Sequence, residues 1–478
     1  MQVKAWRNFV ALLSIAVQSL GVVRPDMPLS DWRANCEGRA AMIFPLALAA
    51  LALQGSVLPK RPQEPVVAFV DVNVVPMNRD GVLEHQTVVV RGNRIVEVGP
   101  ASKVRAPDGA TTVNGSGKYL MPGFAEMHGH FPNPNAGPEL TENVLFLYVA
   151  NGVTTVRGMQ GQLPHLEIKA RIARGELLGP RLWVPGPALT GNAAPTPEAG
   201  RRLVEEQQAA GFDHLKIHEG LSRETYDTIV ATAKRVGLRF GGHVPDAVGV
   251  YHALESGQVS IEHLDNYVET VGGPDSADDS RIARVVSATC AAKAWTVPTM
   301  ALWETFMGTE DIDMLAARPE LRYVPPAWRN NWAQQLTQLR RQNTETAEQR
   351  VKTLALRRRI LKALQTAGCP IAFGTDSPQL YSVPGFSIHR EMQSMAAAGL
   401  TPQQILLSGT RSAARYFGAE QEFGSVAVGQ RADLILLNGN PLTDLANVGR
   451  RGGVMVNGRW LPETEIQARL ERIAAAYQ

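Results

Sequence analysis

The sequence predicts an α/β protein: a (β/α)8 TIM barrel carrying a small β-sandwich built from both ends of the chain. Three observations lead there. Residues 123–417 alternate short apolar runs with helix-patterned stretches, eight times over. Similar strand–turn–strand segments flank that region on both sides. Ligand-type side chains recur where the apolar runs end.

The first sixty residues read as a leader rather than as part of the fold. Lys4 and Arg7 precede FVALLSIAV, and AAMIFPLALAALALQGS follows a mixed polar stretch. Neither run reaches the ~18 apolar residues of a spanning helix, and both have signal-peptide length. Ala50-Leu51-Ala52 offers a small-residue cleavage site, and Met42 is an alternative start. Export to the periplasm or medium is the expectation, with a cytoplasmic protein as the alternative if the leader is not functional. No later segment resembles a transmembrane helix.

Composition excludes several classes. With 478 residues, 44% hydrophobic and 19% charged, the chain has ample material for a buried core. A formal charge of +3 gives no argument for nucleic acid. Three cysteines do not make a disulfide framework; Cys36 lies in the leader, leaving Cys290 and Cys369 without CxxC or zinc-ribbon spacing. Any metal site must therefore draw on histidine, carboxylate and something less usual.

From Val66 the pattern becomes VVAFVDVNVVPM, TVVVRGNRIVEVG and TTVNGSGKYLMPG, in which RGNR is a hairpin signal. Its counterpart is GSVAVGQRADLILLNGNP with GGVMVNGRW near the C-terminus. Each piece is too small to bury a core alone, so 66–122 and 418–462 are expected to fold together, ahead of a terminal helix over 463–478. Between them the expected barrel strands are FAEMH, VTTVR, RLWVP, DHLKIH, RFGGHV, QVSIEH, WTVPTM and PIAFGTD. The seventh and eighth are separated by an insertion over 305–368. Val351, Leu354, Leu361 and Leu364 predict one long amphipathic helix there, its arginines forming a solvated face.

Active sites of such barrels lie at the C-terminal strand ends. The first strand ends in His128 and His130, the fourth in Lys216, the fifth in His243, the sixth in His263 and the eighth in Asp376. Period-two alternation puts each pair or row on one face: His128 with His130; His214 with Lys216 and His218; Ala372 and Gly374 with Asp376. An inward row of basic side chains is costly unless something binds them. A lone barrel histidine is ordinarily a hydrogen-bonded core residue. Five strand ends agreeing point to a metal site.

The set PGFAEMHGH, HLKIH, GGHVPDA, SIEH and FGTDSP, closed by GSVAVGQRADLILL, resembles the amidohydrolase superfamily, in its branch of imidazolonepropionase-like proteins and metal-dependent prolidases. The resemblance covers residues 66–462. It implies two divalent ions, zinc by expectation, one on His128 and His130 and the other on His243 and His263. Lys216 matches the lysine that is N-carboxylated and bridges both ions, and Asp376 matches the strand-eight aspartate. A protonated ammonium cannot ligate, whereas the carbamate of a neutral lysine is a bidentate anion. The implied chemistry is hydrolysis of a C–N amide bond by metal-activated hydroxide, with Asp376 shuttling the proton. Dipeptide-like or N-acyl amino acid substrates are expected.

His218, nearer the mouth than Lys216, is a candidate for oxyanion or substrate contact. Arg157 is a candidate for a substrate carboxylate, and Tyr267 and Trp303 for the pocket wall. VRGM in place of VRD and SIEHLDN in place of SIEHG depart from the branch in loops that shape specificity. Two alternatives stand: a one-metal cyclic amidase or deaminase, and a catalytically idle binding protein. The partner expected is a small-molecule substrate; oligomeric state is left open.

Overall fold

Backbone pairing in the computed structural model, which describes residues 64–478, sorts its strands into three sheets. The leader and Cys36 lie outside the described residues. Strands β1 (Val66–Val74), β2 (Leu83–Arg91) and β3 (Arg94–Pro100) run antiparallel, with the RGNR turn between β2 and β3 as expected. Gly92 takes φ +57° at that turn, a conformation a side chain would resist. Strands β4 (Thr111–Asn114) and β5 (Tyr119–Pro122) pair with the two halves of β1, both parallel to it.

Two parallel sheets follow. One holds β6 (Phe124–Gly129), β7 (Val153–Gly158) and β8 (Arg181–Trp183). The other holds β9 (Leu215–Ile217), β10 (Phe240–Gly242), β11 (Ser260–Glu262) and β12 (Trp295–Val297). All their residues except Arg181 and Trp183 of β8 are buried, as expected of parallel strands covered on both faces. Strands β13 (Leu434–Leu437), β14 (Arg451–Val456) and β15 (Arg459–Pro462) return to the first sheet, where β13 pairs antiparallel with β5. The two chain ends thus share one hydrogen-bonded sheet of eight strands, packed over Phe69, Val88, Leu120, Leu434 and Met455. Residues 64–478 form one compact unit.

The helices between strands start and stop where local chemistry dictates. In Arg223–Val236, the Ser222 side chain accepts from the Thr225 N–H, and Gly237 closes the helix in the left-handed conformation. Tyr226, Ile229, Val230 and Ala233 form its buried stripe. Isolated bridges Pro185–His214 and Leu189–Ile217 join the chain after β8 to that around β9. Bridges Thr296–Ile371 and Gly129–Ser377 tie residues 370–377 to β12 on one side and β6 on the other.

That last stretch was expected as an eighth strand, and among the described residues it forms bridges rather than a continuous strand. Its hydrogen bonds are divided: Ala372 N–H donates to Thr296 O, Met127 N–H to Phe373 O and Asp376 N–H to His128 O, while others go outside the neighbouring strands. Phe373 N–H donates to Ser408 O, Thr375 N–H donates to the Glu126 carboxylate, and Asp376 adopts φ +61°. The left-handed turn at Asp376 interrupts the regular strand conformation.

The insertion contains the helices Ile312–Ala316, Pro326–Gln342 and Ala347–Thr366. The longest buries Leu354, Leu361 and Leu364, but Val351 is exposed. Its arginines are not uniformly solvated either: Arg357 is buried, donates to His263 O at 2.7 Å and lies over the Trp303 ring. Cys290 and Cys369, unassigned by sequence spacing, form a disulfide across 79 residues. It ties the end of the helix Asp279–Ala292 to the chain entering residues 370–377. Cross-linking a loop of that size restricts the unfolded chain, so Cys290→Ser is expected to lower stability by about 2–4 kcal/mol. Denaturant melts should show that deficit in non-reducing buffer and little difference from the parent protein once both are reduced.

Candidate metal centre

The strand ends deliver their side chains to one place. His130 Nε2 lies 2.6 Å from Asp376 Oδ1, and His128 Nε2 lies 3.4 Å from the same oxygen. His263 Nε2 is 3.6 Å from Asp376 Oδ2, and Lys216 Nζ is 3.5 Å from His128 Nε2. The His243 ring lies tilted against His263 at 4.7 Å between centroids, and His218 against His243 at 4.3 Å. One ligand atom from each of His128, His263 and Asp376 falls within 4.8 Å of the others. All six strand-end residues singled out by sequence therefore converge.

Outer partners set the direction of each ring. His128 Nδ1 donates to Glu262 Oε2 at 2.8 Å and His243 Nδ1 donates to Asp265 Oδ2 at 2.7 Å, while His263 Nδ1 pairs with Thr299 Oγ1 at 2.7 Å. With Nδ1 engaged, each Nε2 faces the cluster, as in histidines that hold a metal. Burial drives the pKa of His128 and His243 well below the ordinary imidazole value, helped by the Lys216 charge; burial also takes His263 down to about 3. These rings are neutral and offer lone pairs. Burial likewise lowers the Lys216 ammonium, against the pull of Glu262 and Asp376. Burial acts to raise the Asp376 carboxyl, but the hydrogen bond and charge of His130, with His263 and Lys216, hold it below its usual value. Convergent neutral imidazoles, a lysine with depressed basicity and an ionised carboxylate are a donor set that fits divalent metal.

Beneath them lies a layer that sequence reasoning missed. Glu262 Oε1 accepts from Arg157 Nη2 at 2.8 Å and from Ser260 Oγ at 2.7 Å. Glu126 accepts from the His128 and Thr375 backbone N–H groups at 2.9 and 2.8 Å and from Thr375 Oγ1. Burial raises Glu126 to about 7. The signal was present: each carboxylate sits inside an apolar strand, where an unpaired charge would not be tolerated. Two backbone details bring the ligands in. His263 and Asp376 both turn into the left-handed region at φ +62° and +61°. Gly374 approaches so closely that a Cβ there would meet His128 N at 2.9 Å.

The remaining candidates divide. His218 lines the cavity over the cluster; its Nδ1 accepts from Glu219 N–H at 2.8 Å, which leaves Nε2–H directed elsewhere. Trp303 lines the same cavity and donates to His263 O at 3.0 Å. Arg157 does not reach substrate. It is 0% exposed, engaged with Glu262 and Ser260, with its guanidinium 4.8 Å from the Tyr416 ring centroid. One face of a strand carries side chains beneath the cluster as well as in it, and Arg157 lies beneath, bonded to the Glu262 that orients His128. Tyr267 is also fully buried, its hydroxyl paired with Thr289, so it belongs to the core. His165 lies in the helix Leu163–Ala173, buried, with Nε2 2.9 Å from Pro132 O.

Comparisons with known proteins agree on the architecture. The amidohydrolase family model matches residues 119–461. A putative prolidase from Bifidobacterium longum is 23% identical at a TM-score of 0.66, with 86% of this chain and 100% of that one covered. Adenine deaminase 3 of Rhizobium meliloti (strain 1021) is 22% identical over 369 residues, which are 73% of this chain and 51% of the deaminase. A dihydroorotase of Trichlorobacter lovleyi is 34% identical over 93 residues, 19% of this chain and 21% of that protein. The chain thus spans about half the length of one curated relative and about a fifth of the other.

Glu262 orients His128 only while its own charge is balanced. Arg157→Met would strand a buried carboxylate, a change that typically removes about 3–5 kcal/mol of stability. Thermal melts should register that loss, and metal titration of any folded variant should show affinity reduced about 10–100-fold.

Proposed function

The chain belongs to the amidohydrolase family, and on that premise we propose that it is a two-metal hydrolase of amide bonds in small peptide-like or N-acyl substrates. The convergence of His128, His130, Lys216, His243, His263 and Asp376 carries this reading. The bridges on either side of residues 370–377, with those after β8, support one closed ring of eight strand segments with this cluster at one mouth. Two divalent ions, zinc by the chemistry of the imidazole donors, would be held by His128 with His130 and His243 with His263; bound, they supply the Lewis acidity that activates water at neutral pH and polarises a carbonyl.

Lys216 is suited to bridging because burial favours its neutral amine. The amine lone pair adds to carbon dioxide and the nitrogen loses a proton, leaving a carbamate anion. Asp376 stands beside three of the donors, His128, His130 and His263, and is the proton carrier: it accepts the proton of the attacking water and returns it to the departing nitrogen. His218, its Nδ1 occupied by a backbone N–H, presents Nε2–H as the donor for the substrate oxygen. Export is part of the proposal, and the Cys290–Cys369 disulfide supports an oxidising compartment. Among the described residues, no helix is long and apolar enough to cross a membrane.

A second reading, a one-metal cyclic amidase or deaminase, is favoured by the tight grouping of His128, His263 and Asp376 alone. A dihydroorotase and an adenine deaminase among the relatives accord with it.

Elemental analysis separates the two. Two metals per chain are expected, falling to one or none in Lys216→Ala; one per chain, unaltered by that substitution, would reject the bridging lysine and favour the second reading. Asp376→Asn is expected to lower kcat by about 10²–10⁴, read on any amide that the parent enzyme turns over.

A further inference from the structure

The site is a double chamber. A cavity of about 380 Å³ stands over the metal-type donors, and a second of about 350 Å³ opens beside it. His130, Gln160 and Gln379 line both, so the two meet around His130. In the first, the wall facing the donors is apolar: Met159, Leu302, Trp303, Phe306, Leu339 and Leu380. The second pairs aromatic faces, Phe131 and Trp328, with the neutral amides of Asn133 and Gln162.

Charge in these walls runs one way. Among the described residues lining the two cavities, Lys216 is the sole lysine or arginine, and it sits on the floor among the donors. The acids Glu219 and Asp265 line the first chamber as well as Asp376. Nearby cations are committed elsewhere, Arg157 to Glu262 and Arg357 to His263 O and the Trp303 face. Apart from the imidazoles of His165 and His218, a carboxylate carried beyond the scissile bond would meet carbon, neutral amide or another carboxylate, and would lose its hydration without gaining a fixed counter-charge. A carboxamide or ester in the same place loses little water and finds donors and acceptors on Gln160 and Gln379. Aromatic and branched apolar groups find matching walls in both chambers.

We propose that this site selects amides with an aromatic or branched apolar body and a blocked, uncharged carboxyl end, and discriminates against free carboxylates. The proposal rests on the hydrolase reading and narrows it, since dipeptides and N-acyl amino acids with a free acid become the disfavoured class. The insertion between β12 and residues 370–377 contributes Phe306, Trp328 and Leu339, which makes it the source of the apolar selectivity.

The test uses the full chain and a matched pair, N-acetylphenylalaninamide and N-acetylphenylalanine. In calorimetry on the metal-free protein, the amide should bind at least about tenfold more tightly, the usual scale for a polar group left unpaired. Equal or tighter binding of the free acid would overturn the proposal. Gln160→Arg places a cation where the chambers meet and should move the ratio about tenfold towards the acid; an unchanged ratio would also count against it. Turnover is read separately on the metal-loaded enzyme, with the anilides of blocked and free-acid substrates. Hydrolysis that prefers the free acid would keep the hydrolase and reject the selectivity. An intact binding preference with no hydrolysis of either would reject the hydrolase and retain the ligand class.

Discussion

The buried ion pair of Arg157 with Glu262 is the interaction on which the centre depends. Both side chains are fully buried, one from β7 and the other from β11, and neither charge would be tolerated alone. Together with Ser260 they leave one carboxylate oxygen of Glu262 free to take the His128 Nδ1 proton. That bond turns His128 Nε2 towards Asp376 and Lys216. Three strands are thereby coupled through the interior, beneath the ligands they carry. The ionisable groups above remain in place because the groups below are already satisfied.

A second constraint is steric. Side chains from separate strand ends converge only if the backbones come unusually close. Gly374 provides one such approach, against His128. Gly242 provides another: at φ +138° it packs where a Cβ would run into the Ile217 carbonyl, between Lys216 and His218. His263 and Asp376 hold left-handed conformations that their side chains oppose, a local strain of order 1–3 kcal/mol each. Strand pairing around them and the hydrogen bonds of His263 and Asp376 offset it. Local conformational cost at the ligands and dense bonding around them are two sides of one arrangement.

On the substrate side the insertion has a definite part. Helices Met300–Phe306 and Pro326–Gln342 wall the cavities, and Arg357 from the long helix clamps Trp303 from behind while anchoring the His263 carbonyl. The first turn of Met300–Phe306 is held by Glu391, buried, with its oxygens accepting from the Met300 and Ala301 N–H groups. The donor cluster and much of the apolar cavity wall are thus built from different parts of the chain, the strand ends and the insertion.

The sequence by itself determined the alternating architecture, the association of the two chain ends and the identity of the converging residues; that those ends form one eight-stranded sheet where a sandwich was expected came from the structure. The first three follow from local rules: period-two alternation, the helix repeat, and the cost of placing His, Lys or Asp at the end of an apolar strand. Tertiary structure alone decided the rest. Nothing local distinguishes an arginine rising towards substrate from one descending to Glu262, so Arg157 changed role, and Tyr267 went to the core for the same reason. The eighth segment keeps bridges to β12 and β6, while its Phe373 and Thr375 N–H groups are drawn to Ser408 and Glu126, far away in the chain. Cys290 found Cys369 across 79 residues. Spacing encodes which face a side chain occupies; what stands opposite that face is set by parts of the chain that spacing cannot see.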